Sequence, residues 1–323
     1  MDATLPASLV WYPDDRPGIT RRRAGRGWSY RAPDGTRIED RRERRRIEAL
    51  AVPPAYVDVW ISPKPNGHLL ATGLDARERK QYRYHPDWIE HRARTKFDEL
   101  ARFGAALPAL RRRLTRELTE GSPAEPAFAI AACLRLIDRA ALRVGTPDYA
   151  DENETYGATT LRADHVSLGR DGIAVSFPGK GGAQVDKALK DATLQRALEA
   201  LEDLPGAELM AYDPGDGPRT IGPDHVNDWL RDATGQDGLT AKTFRTWAGS
   251  AAALEVALAT PQPTIKAMAE AAAQRLHNTP TIARTSYIHP DVIALAERDA
   301  PPVPARPHGL RRAERALLAL LGR

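Results

Sequence analysis

At Asp87 the apolar spacing of this chain changes period, and that change limits the folds open to it. Before it, apolar residues alternate over short runs broken by turn residues, as half-buried strands do. After it, they recur at every third or fourth position, as one face of a helix does. The spacing predicts an α+β chain: a small β-rich N-terminal part, then a larger, mainly α-helical part with a small β insert.

In the first part, Trp28, Tyr30 and the Pro33-Asp34-Gly35 turn suggest a small hairpin. Val57–Ile61 and residues 68–72 read as strands, split by the turn-rich Pro63-Lys64-Pro65-Asn66-Gly67. Residues 41–50 read as a short basic helix that must stop before Pro53-Pro54. In the second part a long helix is expected over 87–103, with others near 106–119, 125–144, 184–203, 223–233, 241–257, 262–276 and 290–298. Residues 158–178 alternate and read as a hairpin or small sheet. The expected divisions are an irregular segment at 1–20, a β-rich domain at 21–85, a mainly α domain at 86–299, and a proline-rich linker with a short helix at 300–323.

Charge points to a partner. The formal net charge is +4, but residues 16–46 alone hold twelve arginines against four acidic side chains. Such a block favours a polyanion, because cations that displace condensed counterions from nucleic acid drive association. Cys133 is the single cysteine, which excludes an intrachain disulfide and a cysteine-based zinc site. No run of eighteen apolar residues is present, and the N-terminus lacks a basic end and an apolar centre. Neither a membrane span nor a signal peptide is expected, and the setting read from this is cytoplasmic.

Four segments of the second part carry residues suited to phosphate chemistry. They are Leu142-Arg143-Val144-Gly145 with residues 149–157, Phe177-Pro178-Gly179-Lys180-Gly181-Gly182, Lys242-Thr243-Phe244-Arg245-Thr246-Trp247, and Asn278-Thr279-Pro280 with Ser286-Tyr287-Ile288-His289-Pro290. Cleaving a phosphodiester needs an in-line nucleophile, stabilisation of charge on the non-bridging oxygens, and a proton for the leaving alkoxide. A tyrosine nucleophile conserves bond energy as a phosphotyrosine, so the break can be resealed without ATP. No acidic cluster of the kind that holds two metal ions is visible, and guanidinium groups suit the oxygens of a phosphate. Lys180 stands out in a chain with 8 lysines against 39 arginines, because a lysine can part with a proton that an arginine keeps.

In that order the segments resemble the active-site motifs of type IB DNA topoisomerases, in their compact bacterial and poxvirus-like branch. The run Arg79-Lys80-Gln81-Tyr82-Arg83-Tyr84-His85 resembles the strand with which that branch grips the DNA backbone. The resemblance covers roughly residues 25–298. It implies Tyr287 as nucleophile, forming a 3′-phosphotyrosyl bond, with Arg143 and Arg245 clamping the phosphate. It implies Lys180 as the proton donor and Asn278 as a hydrogen-bond donor to a non-bridging oxygen, where histidine is frequent in the family. His277, one position away, is expected to point elsewhere. Gln81, Tyr82, Tyr84, Tyr149 and Lys242 would contact flanking DNA, as would Arg41, Arg42, Arg44 and Arg45 of the basic helix.

The implied enzyme relaxes positive and negative supercoils without metal, ATP or cofactor. It is expected to act on duplex DNA as a monomeric, nucleoid-associated protein that closes around the duplex as a C-shaped clamp. Two other readings compete. A tyrosine recombinase uses the same chemistry but usually carries His-x-x-Arg where this chain has Lys242-Thr243-Phe244-Arg245. A non-enzymatic architectural protein would account for the basic N-terminal part and leave Tyr287 unexplained.

Overall fold

A computed structural model describes residues 5–322, apart from 26, 77, 207 and 300–302 and the side chains at 93–96, 98, 148, 149 and 151. The chain divides inside one helix into two compact units, 1–96 and 97–323.

The first unit is built on an antiparallel sheet in the order β2-β1-β3-β4-β5, with β1 at Ile19–Ala24, β2 at Gly27–Arg31, β3 at Val57–Ile61, β4 at Leu69–Leu74 and β5 at Lys80–Tyr84. The 33–35 turn follows β2 rather than joining the hairpin, whose last recorded pair is Ala24 with Gly27. Helix α1 (Arg41–Ala49) starts at Asp40, whose carboxylate accepts from the amides of Arg42 and Glu43. It buries Ile47 against Ile19, Tyr30, Val59, Ile61 and Ala71. Arg21 seals the edge of this core by donating to the carbonyls of Val52, Pro53 and Tyr56.

The second unit is mainly helical. Its elements are α2 (Pro86–Glu120, which begins in the first unit), α3 (Pro126–Ala140), α4 (Pro147–Asn153), the three-stranded antiparallel sheet β6 (Val166–Gly169), β7 (Gly172–Pro178) and β8 (Gln184–Leu189), α5 (Ala192–Glu202), the short pair β9 (Ala211–Tyr212) and β10 (Arg219–Thr220), α6 (Pro223–Thr234), α7 (Ala241–Ala259), α8 (Ile265–Leu276), α9 (Pro280–Tyr287), α10 (Pro290–Ile293) and α11 (Arg312–Leu321). Leu100, Phe103, Leu107, Leu110 and Leu114 form one buried stripe of α2. That stripe runs through Pro108, so the two helices expected at 87–103 and 106–119 are a single 35-residue helix. Packing outweighs the hydrogen bond that the proline removes.

Three other expectations change. The helix expected over 184–203 begins only at Ala192, because residues 184–189 are strand β8, which buries Val185 and pairs Phe177 with Val185 and Ile173 with Leu189. Helix α3 stops at Ala140 rather than near 144, because Ala141 turns left-handed at φ 56°. Residues 280–287 form the unexpected helix α9, started by Pro280 at its first position and by the Thr279 hydroxyl, which accepts from the Ile282 amide.

The C-terminal helix α11 docks through charge as well as apolar contact. Arg111 of α2 donates to Asp138 of α3 and to Glu314 of α11, and the Trp247 indole of α7 donates to the same Glu314. Burial alone would raise Glu314; its hydrogen bonds to Arg111 hold it below the usual carboxylate range. No helix among the described residues is long and apolar enough to cross a membrane.

Candidate active site

Arg143 reaches its place through a close backbone approach. The left-handed turn at Ala141 releases Leu142 and Arg143 from α3, and the carbonyls of Arg143 and Val144 then accept from the amides of Ala158 and Thr159. Gly145 and Gly157 let these two stretches of chain touch. A Cβ on Gly157 would lie 2.5 Å from the Gly145 nitrogen. The Tyr156 amide donates to the Pro178 carbonyl, which draws the β7–β8 turn to the same place. That turn carries Lys180, exposed at its tip, between Gly179 and the positive-φ residues Gly181 and Gly182.

Arg245 lies one turn inside α7 and is 3% exposed. Its Nη1 donates to the Ala141 carbonyl and its Nη2 donates to the Leu276 carbonyl at 2.9 Å. Both acceptors sit where a helix ends in a left-handed residue, Ala141 after α3 and His277 after α8. One guanidinium therefore binds the C-termini of two helices, where cations are favoured. Its Nε is enclosed without a hydrogen-bond partner. Burial first, then the charge of Arg143, pull this guanidinium down to about 10, while Tyr287 opposes the shift. The group remains a cation at neutral pH.

Tyr287 is the last residue of α9, with its ring centroid 5.3 Å from the Arg245 guanidinium carbon. Its carbonyl accepts from the Ser250 hydroxyl of α7, so the two helices are tied beside the site. Asn278 follows His277, and both side-chain amide atoms are enclosed without a hydrogen-bond partner. Arg143, Arg245, Gly179 and His277 line one small cavity. His277, at the left-handed end of α8, is expected to point elsewhere, and it is among the residues that line this cavity. Two residues that sequence reasoning missed line the cavity as well, Tyr156 and Lys187. Tyr156 belongs to the 149–157 segment, whereas Lys187 carries no sequence signal beyond the rarity of lysine.

The energetics of this cavity are those of an anion site. The charge of Arg143 lies close enough to bear on Arg245, and among the described residues no carboxylate pairs with Arg245. Burying a guanidinium such as that of Arg245 without a counter-ion costs several kcal/mol (order of magnitude) unless an anion completes the site. An anion such as a phosphodiester would supply the missing charge, and Tyr287 lies against Arg245.

The other candidate residues are more dispersed. Lys242 is exposed on α7, three residues before Arg245. Tyr82 and Tyr84 of β5 are 49% and 39% exposed and stack with centroids 5.9 Å apart. Gln81 alternates to the other side of the strand and donates to the Asp75 carboxylate at 3.0 Å. Arg41, Arg42 and Arg45 are exposed on α1, while Arg44 is half-buried and lies 3.7 Å from Glu48. Tyr149 is on α4, and its side chain is outside the described residues.

A tyrosine set against a buried arginine, with a second arginine lining the same cavity, is an arrangement suited to a phosphodiester. The chain belongs to the type IB DNA topoisomerase family. The family described as "Eukaryotic DNA topoisomerase I, catalytic core" matches residues 85–282, and "Bacterial DNA topoisomerase IB, N-terminal domain" matches residues 27–75. Arg143, Lys180, Arg245 and Asn278 lie inside the first match, and Tyr287 lies just beyond it. The chain is 27% identical over 291 residues to DNA topoisomerase 1B of Acanthamoeba polyphaga mimivirus, covering 84% of this chain and 85% of that one. It is 28% identical over 176 residues to DNA topoisomerase 1 of Mycosarcoma maydis, covering 49% of this chain and 17% of that one.

Proposed function

We propose that the protein relaxes positive and negative supercoils by transient single-strand cleavage through a 3′-phosphotyrosyl intermediate, followed by religation. The observation that carries this reading is the buried, carboxylate-free Arg245 with Tyr287 against it and Arg143 across the same cavity. The Tyr287 hydroxyl gives up its proton to solvent as its oxygen attacks phosphorus, the bond to the 5′ oxygen breaks, and Lys180 delivers a proton to that oxygen. Arg143 and Arg245 hold the non-bridging oxygens, with a hydrogen bond added by the Asn278 amide. The freed 5′ end rotates under torsion, so the DNA supplies the work and the reverse attack reseals it. Residues 21–85 serve as the DNA-binding domain, 86–299 as the catalytic domain, and closure of the chain around duplex DNA belongs to the same reading. The enzyme acts as a monomer on chromosomal DNA in the cytoplasm.

Cationic side chains, not a bound ion, stabilise the phosphate in this scheme. Relaxation of both supercoil signs is expected to proceed in EDTA without ATP. Loss of relaxation on chelation would overturn the assignment.

The basic helix α1 is expected to supply affinity without specificity. Replacing Arg41, Arg42, Arg44 and Arg45 with Ala should weaken duplex binding and flatten the slope of log K against log salt by about 0.9 for each phosphate no longer neutralised. Arg44, held near Glu48, should contribute least. A slope left unchanged would place these side chains away from the DNA.

A further inference from the structure

Lys187 stands on β8 opposite Val175, on the strand pair whose turn carries Lys180. Its side chain leaves the sheet and crosses to α8, where Nζ donates to the Arg275 carbonyl at 2.9 Å. The next carbonyl along, that of Leu276, is the one that accepts from Arg245. Two cations from two different elements thus bind successive carbonyls at the end of one helix. The chain then passes through left-handed His277 to Asn278, whose enclosed amide has no partner. Lys187 also lines the cavity with Arg143 and Arg245.

We infer that Lys187 is a positioning residue of this active site: it holds the end of α8, and so sets Arg245 and Asn278 around the scissile phosphate. The inference rests on the reading of Tyr287 as the nucleophile.

A helix C-terminus attracts a cation, which explains the hydrogen bond. It does not explain why a lysine is kept among Arg143, Arg245, Arg275 and His277. Asp186, its neighbour on β8, is engaged with the Ser176 hydroxyl. Burial first, then the charges of Arg275 and Arg245, pull the Lys187 ammonium down to about 8. The position is thus costly for a cation until a phosphate arrives, as for Arg245. A helix cap needed only for folding could be provided away from the cavity.

The test is single-turnover cleavage of a duplex oligonucleotide by the full-length enzyme. Lys187→Met should slow cleavage by roughly 10- to 100-fold, the scale on which displacing a reacting group by about 1 Å slows chemistry. Duplex affinity and the unfolding midpoint should stay close to wild type. Lys187→Arg, which can still reach the carbonyl and keeps the charge, should recover most of the rate. Replacing the bridging 5′ oxygen with sulfur should leave the Lys187→Met defect in place, since Lys187 acts through Arg245 and Asn278 and not as the proton donor. An unchanged rate in Lys187→Met would overturn the inference. So would rescue by sulfur, which would make Lys187 the acid. So would equal loss of rate, affinity and folded state in both variants, which would make it a fold-stabilising cap only. A covalent adduct that persists in Tyr287→Phe would be a separate failure, that of the underlying reading of the site.

Discussion

Tyr287→Phe is expected to abolish the denaturant-stable protein–DNA adduct while leaving duplex affinity nearly intact. The substitution removes one oxygen from a half-buried side chain and almost no packing area. The ring remains against Arg245, so the arginine pair stays in place to hold phosphate. With no hydroxyl there is no nucleophile, and the loss should be complete within detection. Trapping on a nicked or intact strand followed by denaturing electrophoresis reads this directly. An adduct in the mutant would mean that another residue attacks.

The next largest effect is expected at Lys180. A DNA 5′-hydroxyl is a far weaker acid than a phenol, whose pKa is about 10, so expelling it without a proton is slow. Lys180→Ala should lose about 10²- to 10⁴-fold in cleavage of ordinary DNA, the usual contribution of a positioned acid. With sulfur in the bridging position the leaving group needs no proton, and the mutant should approach wild type. Arg245 should respond differently, because its proposed part is to hold oxygens that the sulfur leaves alone. Arg245→Ala also strips the Ala141 and Leu276 carbonyls of their donor, at about 1–3 kcal/mol for each polar group left buried and unsatisfied. Arg245→Lys, which can still reach one carbonyl, separates this structural loss from the catalytic one. Sulfur should rescue neither Arg245 variant. Equal rescue of Lys180→Ala and Arg245→Lys would refute the division of roles.

The exposure of Lys180 is consistent with a residue that meets its substrate outside the cavity. Arg143 and Arg245 line the cavity, whereas Lys180 rides on a glycine-flanked turn above Gly179. The turn is held at its base by the Gly179 amide on the Ala183 carbonyl and by Tyr156 on Pro178. Glycine on both sides of a lysine otherwise reads as an ordinary solvated turn. What distinguishes it is this anchoring to the Arg143 segment, which no local pattern encodes.

Much of the architecture is legible in the sequence because hydrophobic period is a local property. The stripe Leu100, Phe103, Leu107, Leu110, Leu114 marks α2, and the Asp40 and Thr279 caps mark helix starts. Strand β8 reads as helix in the sequence because Val185 and Leu189 are four apart, a spacing that serves a helix face as well as a strand face. Only its pairing with β7 separates the two. Helix α2 reads as two at Pro108 because a proline breaks an isolated helix, while here a continuous buried face holds it together.

By itself the sequence determined which residue types were available for phosphate chemistry and their order along the chain, since motif spacing survives without any knowledge of the fold. Only the tertiary structure decided that Arg143, Arg245, His277 and Lys187 line one cavity. The reason lies in two helix ends. Ala141 and His277 are left-handed, a conformation that costs a non-glycine residue about 1–2 kcal/mol and that their side chains do not demand. It persists because Arg245, a hundred residues from the first of these ends, donates to Ala141 itself and to Leu276 just before His277.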